Sequence, residues 1–214
     1  MSRTDRINGP HQDQPVYQTG VKLDQAQSAM ILIHGRGATA QDILTLTSEL
    51  EAPDFAFLAP QADGYTWYPY RFLEPVERNE PGISSGLQVI GDLIEQLNDH
   101  DIPTEHIFLL GFSQGACLAL EYAARHPQRY GGIIGLSGGL IGPQISPEDY
   151  SGSLKQTPVF LGCSDVDPHI PRERVEESAT IFRKLVGQVT LRLYPGMGHT
   201  VNQDEIDIIQ QIVR

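Results

Sequence analysis

Apolar residues along this chain follow two rhythms that take turns. One is a short unbroken run, as in Ala29-Met30-Ile31-Leu32-Ile33 and in Phe55-Ala56-Phe57-Leu58-Ala59, the second closed by Pro60. Such a run predicts a strand buried on both faces, because successive side chains point to opposite sides of a sheet and here neither side suits water. Ile107 to Leu110, Gly132 to Leu136, Pro158 to Gly162 and Val189 to Tyr194 continue the series. Val16 to Leu23 adds an expected edge strand.

The other rhythm repeats every three or four residues and predicts helices that bury one face. Residues 42–50 place Ile43, Leu46 and Leu50 on one side, and residues 84–97 do so with Leu87, Ile90, Ile94 and Leu97. An alanine- and leucine-rich helix follows the strand at Leu110 after a short turn and ends near His126-Pro127. Another starts at Pro171, a favoured first helical position, and carries Val175, Ala179, Phe182 and Val186. The last runs from about Asn202, paired with Glu205 in a capping box, to Val213. Strand and helix alternate throughout. The expected fold class is therefore α/β, one largely parallel sheet with helices on both faces. Residues 16–214 are expected to form this single domain, preceded by a flexible polar arm over residues 1–15. The polar stretch from Pro143 to Gln156 reads as a surface excursion.

In a sheet of this kind the loops at the carboxyl ends of the strands converge on one edge, where sites are built. The strand from Ile107 runs into Gly111-Phe112-Ser113-Gln114-Gly115, the G-x-S-x-G pattern that seats a serine on a sharp strand-to-helix turn. Glycines at 111 and 115 let strand end and helix start pass closely. The next strands end in Asp165-Val166-Asp167-Pro168-His169 and in Pro195-Gly196-Met197-Gly198-His199. The chain order serine, acid, histidine is the one expected of a hydrolase with this turn. A serine hydroxyl needs a base to take its proton, and imidazole titrates near neutrality, so Ser113 is the candidate nucleophile and His199 its base. A carboxylate must orient that ring. Asp167, placed before Pro168 where the chain leaves extended structure, is the choice, with Asp165 as the alternative that spacing alone does not remove.

His34-Gly35-Arg36-Gly37 closes the first core strand and can turn main-chain N–H groups toward the same edge. The main chain of Arg36 and of Gln114 would then form an oxyanion hole. A plain strand-to-helix turn is the bland reading; a phosphate loop is weakened by the lack of G-x-x-x-x-G-K-[ST]. His34 is expected to brace this loop and His126 to end a helix. The aromatic stretch Gly64 to Leu73 offers Trp67, Tyr68 and Phe72 as walls of a substrate pocket, with ordinary packing of a long loop equally open.

Composition narrows the partners. With 214 residues, 40% of them hydrophobic, and a net charge of -12, the chain suits one soluble domain and lacks the basic surface that nucleic acid or anionic membranes select. No secretory signal or apolar run long enough to span a bilayer is visible, and two cysteines without C-x-x-C spacing fit a reducing, cytoplasmic setting. Stable membrane insertion is not expected. Exposed apolar loop residues leave a homodimer open.

Taken together, H-G-R-G, the W-Y of the aromatic loop, G-F-S-Q-G, G-L-S-G-G, D-P-H-I-P and G-M-G-H resemble the small phospholipase/carboxylesterase family that includes the acyl-protein thioesterases. The resemblance spans the chain from about Ala29 to its end. It implies an α/β-hydrolase without a large lid, Ser113, Asp167 and His199 as triad, Arg36 and Gln114 as oxyanion donors, and no cofactor. It also implies cleavage of carboxylic esters with small or medium acyl groups, with acyl thioesters or lysophospholipids as the alternative. Arg36 where leucine is common, Ala38 where an acid is common, and Tyr68-Pro69 after the tryptophan favour the bacterial carboxylesterase branch, some of whose members are associated with hydroquinone or dienelactone metabolism.

Three rival readings stand beside this one. A dienelactone-hydrolase-like lactonase would generally carry cysteine where Ser113 stands. A metal hydrolase would use Asp165, Asp167 and His169, but no H-E-x-x-H or further paired ligands accompany them, and no metal is expected. A small-molecule-binding protein on a hydrolase fold needs none of the three triad candidates in that order.

Overall fold

The computed structural model describes residues 9–214. Seven strands form one sheet: β1 (Val16–Gly20), β2 (Ser28–Ile33), β3 (Phe55–Pro60), β4 (Ile107–Phe112), β5 (Gly132–Leu136), β6 (Pro158–Ser164) and β7 (Gln188–Tyr194), in spatial order β1-β3-β2-β4-β5-β6-β7. All neighbours are parallel except β1, which runs antiparallel on the edge beside β3. This is the expected α/β-hydrolase architecture.

The unbroken apolar runs now have their cause. In β2, Ala29, Ile31 and Ile33 enter one core layer while Met30 and Leu32 enter the other, and all are fully buried. The first layer lies under α2 (Gly82–Asp99), α3 (Gln114–Arg125) and α4 (Arg172–Lys184); the second lies under α1 (Ala40–Leu44) and α5 (Gln203–Val213). At the other edge β7 alternates, with Val189, Leu191 and Leu193 packed on the core and Thr190 and Arg192 turned outward. The strands that carry the site are thus held from both sides.

Several boundaries depart from the sequence reading. The helix expected over 42–50 begins earlier, because Thr39 and Asp42 form a capping box, and continues only as a 3₁₀ turn over Thr45–Glu49. There the hydroxyls of Thr45, Thr47 and Ser48 donate to carbonyls one turn back and compete with regular helix. Pro171 is the N-cap of α4 and lies just outside it. Val186 is 42% exposed with φ 61°, so it leaves the buried face that the spacing assigned to it and turns the chain toward β7. Within the polar excursion, Tyr150 and Leu154 are buried, and Tyr150 donates its hydroxyl to the buried carboxylate of Glu121.

The arm expected over residues 1–15 divides in two. Residues 1–8 lie outside the described residues. The segment from Gly9 to Gln14 is fastened to the domain: His11 is 3% exposed, its main-chain N–H donates to Ser85 Oγ and its ring bonds Trp67 and Asp63.

Candidate active site

Ser113 stands between β4 and α3 with φ 55° and ψ -118°, a conformation that costs a non-glycine residue roughly 1–3 kcal/mol. Close packing holds it there. A Cβ on Gly111 would lie 2.2 Å from the Gly115 carbonyl oxygen, and one on Gly115 would lie 2.1 Å from the Ile33 oxygen. Only glycine lets β2, β4 and the first turn of α3 approach so nearly. The Ser113 N–H donates to the Leu136 carbonyl at 2.9 Å, tying the turn to β5 as well. The hydroxyl is presented at the N-cap of α3, where the first N–H groups have no partner within the helix.

Two more strand ends meet this serine. His199, in the loop after β7, has Nε2 at 2.8 Å from Ser113 Oγ and Nδ1 at 2.7 Å from Asp167 Oδ2. Asp167 Oδ1 accepts the main-chain N–H of His169 at 2.8 Å and of Ile170 at 3.0 Å. Burial pushes the Asp167 carboxyl up, but the His199 hydrogen bond and these two N–H donors outweigh it and hold the group below the usual carboxylate range. Asp167 is therefore an anion facing Nδ1, which fixes Nδ1 as the protonated nitrogen and leaves Nε2 to accept from Oγ. Behind it, burial and the Asp167 charge push the Cys163 thiol up to about 12, so it stays protonated.

Asp165 has a different task. Its Oδ1 accepts the Gly196 N–H at 2.8 Å, bracing the loop that carries His199, and Ser164 Oγ donates to the Met197 carbonyl of the same loop. The Phe112 ring, 5.0 Å from that of His199, packs against the imidazole from the strand side. The ring of His169 meets the His199 ring edge-on at 4.9 Å. Asp167 and His169 thus both face His199 while Asp165 faces the Gly196 N–H, and no group of three or more metal-ligating side chains occurs among the described residues.

The serine, the imidazole and Gln114 open into a cavity of about 510 Å³, walled in part by Tyr68, Phe72 and Arg71. Arg36, the other expected oxyanion residue, borders the same cavity. Trp67 does not. It is 1% exposed, its rings packed against those of His11 and His34, and its indole N–H donates to the His34 carbonyl at 3.0 Å. Trp67 is a prop beneath the site, because its large ring fills the core where an amphipathic indole finds both apolar contact and an acceptor. His34 braces the loop as expected: Nδ1 donates to the Gly35 carbonyl and Nε2 accepts the Ala62 N–H, while burial lowers its pKa.

The wall from Thr66 to Phe72 has no regular structure, and long-range polar side chains shape it. Gln114 accepts the Trp67 N–H at 2.8 Å and donates to the Tyr68 carbonyl at 2.8 Å. The Arg36 guanidinium donates to the carbonyls of Tyr68, Pro69 and Tyr70. Asn79 accepts the Tyr70 N–H and donates to the Arg71 carbonyl. Sequence reasoning missed Asn79, and Ile170 as a cavity residue; it left Arg36 and Arg71 open between favouring an anionic substrate and simple solvation, and took the His169 side chain only as a metal-ligand rival. Nothing local marks Asn79, which sits between Arg78 and Glu80 as any surface asparagine would.

A family model for phospholipase/carboxylesterase matches residues 18–214. Acyl-protein thioesterase 1 of Gibberella zeae is 29% identical over 216 residues, which cover 89% of this chain and 91% of that protein. The acyl-protein thioesterase 1 of Kluyveromyces lactis is 30% identical over 213 residues, covering 88% and 92% respectively. Among solved structures, a phospholipase/carboxylesterase from Dyadobacter fermentans superposes with a TM-score of 0.92 at 41% identity, over 96% of this chain and 98% of that one. No helix among the described residues is long and apolar enough to cross a membrane.

Proposed function

We propose that this chain, which belongs to the phospholipase/carboxylesterase family of hydrolases, cleaves carboxylic esters of small or medium acyl groups through a covalent acyl-serine. The observation that carries the reading is the continuous chain of hydrogen bonds from Asp167 through His199 to Ser113 Oγ beside an open cavity.

The steps follow from what each group can do. His199 Nε2 takes the proton of Ser113 Oγ as the oxygen attacks the substrate carbonyl carbon, and Asp167 stabilises the imidazolium that results. Negative charge develops on the former carbonyl oxygen, where the main-chain N–H groups of Arg36 and Gln114 receive it. When this intermediate collapses, the bond to the leaving group breaks and His199 passes its proton to the departing atom. Water then attacks the acyl-serine, again giving a proton to His199, and the acid leaves as Ser113 regains its proton.

A cavity of about 510 Å³ lies within the range of sites for small molecules, which supports small or medium acyl groups. The relatives named as acyl-protein thioesterases favour a second reading, acyl thioesters at the same site, since a thiolate leaves by the same route. Two buried free thiols, Cys117 and Cys163, support a reducing, cytoplasmic setting.

Treatment with a fluorophosphonate followed by peptide mass spectrometry tests the mechanism. A single adduct on Ser113, absent from Ser113→Ala and His199→Ala, is the expected result. Folded protein that takes no adduct overturns the hydrolytic reading in favour of a binding protein. Rates on an ester and a thioester sharing one acyl group then separate the two substrate classes.

A further inference from the structure

The chain as a whole is strongly acidic, with 27 Asp and Glu against 15 Lys and Arg, yet its candidate active cavity is not. The charged residues at the cavity, apart from the histidines, are Arg36, Arg71 and Glu74. Glu74 is neutralised by Arg78 at 2.7 Å. Arg36 directs its guanidinium to three carbonyl oxygens, and Arg71 makes one long hydrogen bond of 3.4 Å, to the His169 carbonyl. Among the described residues no carboxylate pairs with either arginine. Arg36 is committed to holding the wall. Arg71 is exposed, with most of its guanidinium donors open.

Its place in the cavity says which part of a substrate it meets. The nitrogen that protonates the leaving atom is His199 Nε2, so the leaving group departs on the imidazole side of Ser113. His169 lies against that imidazole at 4.9 Å, and Arg71 bonds the His169 main chain. We infer that Arg71 is a specificity residue for esters or thioesters whose leaving group carries a carboxylate. A planar guanidinium binds a carboxylate through two parallel hydrogen bonds, and the exposed Arg71 guanidinium, with no carboxylate partner, offers such an anion a local positive charge against the repulsion of the acidic surface. This inference rests on the hydrolytic reading of the site and adds the substrate class.

The test uses two aryl acetates that share the acyl group and differ little in size, para-carboxyphenyl acetate and its neutral counterpart para-carbamoylphenyl acetate. The wild-type enzyme is expected to favour the carboxylate by about tenfold in kcat/KM, mostly through KM, the scale of one charge-assisted contact. In Arg71→Gln the ratio falls to about one, and Arg71→Lys, which keeps the charge, stays within about threefold of wild type. Because each variant is read as a ratio between two substrates, a general loss of activity leaves the readout intact. Hydrolysis of both esters by wild type at equal rates, or a preference that survives in Arg71→Gln, overturns the inference alone. Failure of wild type to hydrolyse either ester, with no fluorophosphonate adduct on Ser113, overturns the hydrolytic reading and this inference together.

Discussion

The floor and the rim of the cavity are held by different physics. The floor, where Ser113 leaves β4 and Arg36 leaves the end of β2, is built from main chain pressed on main chain: glycines at 111 and 115 bring three segments together closer than any side chain permits. The rim, from Thr66 to Phe72 and from Asp165 to Ile170, is built from side chains that cap main-chain groups, with Gln114, Arg36, Asn79 and Asp167 as the clamps. Steric exclusion is unforgiving and places one atom accurately. A set of hydrogen bonds is adjustable and suits a surface that must fit a substrate. The proposed nucleophile, Ser113, therefore sits on the floor, and the residues proposed to choose the substrate sit on the rim.

The largest test of this contrast is Ser113→Gly. Turnover is expected to drop by roughly 10⁶, as when a triad acts as a unit. Stability should rise, because the strain of φ 55° is relieved, by about 1 kcal/mol after allowing for glycine's greater freedom in the unfolded chain. Thermal melts of Ser113→Gly beside Ser113→Ala check this, since alanine keeps the strain. A melting temperature no higher for glycine than for alanine means that the floor does not store strain at the serine.

On the proposed mechanism Asp167 and Asp165 divide the rim in the same way between chemistry and support. Asp167→Asn should lower kcat by about 10⁴, since an amide fails to stabilise the imidazolium and favours the wrong tautomer. Asp165→Asn loses charge but keeps an oxygen for the Gly196 N–H, so a loss of less than about tenfold is expected. Steady-state kinetics on one ester decide it. A dead Asp165→Asn with an active Asp167→Asn would exchange the two roles.

What was legible in the sequence follows the same line. Strands buried on both faces announce themselves as apolar runs, and the glycine spacing around Ser113 is a local record of close packing. The candidate site residues at strand ends, which the structure brings together, could therefore be read as soon as the sheet was expected. Asp165 and Asp167 were not separable by spacing, since which one meets His199 depends on a turn closed by the N–H groups of His169 and Ile170. Trp67 was read as a wall because an aromatic residue in a loop looks the same whether its neighbours are a substrate or His11 and His34. Those neighbours are separated from it by 56 and 33 positions in the chain, a distance over which no local pattern carries information.

Gly115→Ala probes the floor without touching a reactive group. Its Cβ would meet the main chain of Ile33 and His34 on a fully buried strand end, so nothing flexible can give way. Destabilisation of about 3 kcal/mol is expected, on the scale of overpacking a tight core. Fluorophosphonate labelling should fall with it, as the turn shifts the hydroxyl. An Arg71→Gln variant of the rim should instead melt within about 0.5 kcal/mol of wild type, as exposed substitutions do. Urea unfolding of both variants measures the contrast, and a Gly115→Ala as stable as wild type would remove close packing as the floor's support.

The smallest effect is a pH dependence that joins floor and rim through Trp67. His11 ties the segment from Gly9 to Gln14 to the rim and His34 lies beneath the floor; in each, one ring nitrogen accepts a main-chain N–H while the other donates to a carbonyl, so both must be neutral. Burial lowers both pKa values below the ordinary 6.5, so on acidification the unfolded chain takes these protons first. Their contribution to stability is complete above pH 6.5 and is lost as pH falls below it, with a slope of up to about 2.7 kcal/mol per pH unit when both titrate. Glu205 acts in the opposite sense. Buried at the start of α5, its carboxyl is pushed up to about 7, so the folded state takes its proton first and gains stability as pH falls from 7 toward 4.5. Wild type should therefore show a shallow profile between pH 7 and 5, and Glu205→Gln, which keeps an oxygen for the Asn202 N–H, a steeper acid-side loss. Adding His11→Gln should remove about half of that slope, since one of two protons is then uncoupled from folding. Trp67 is the single tryptophan and lies against both rings, so its fluorescence during urea unfolding reads the transition at each pH. An equal slope in wild type and Glu205→Gln would show that the two opposing titrations are not present, and a slope untouched by His11→Gln would assign the acid response to His34 and the floor.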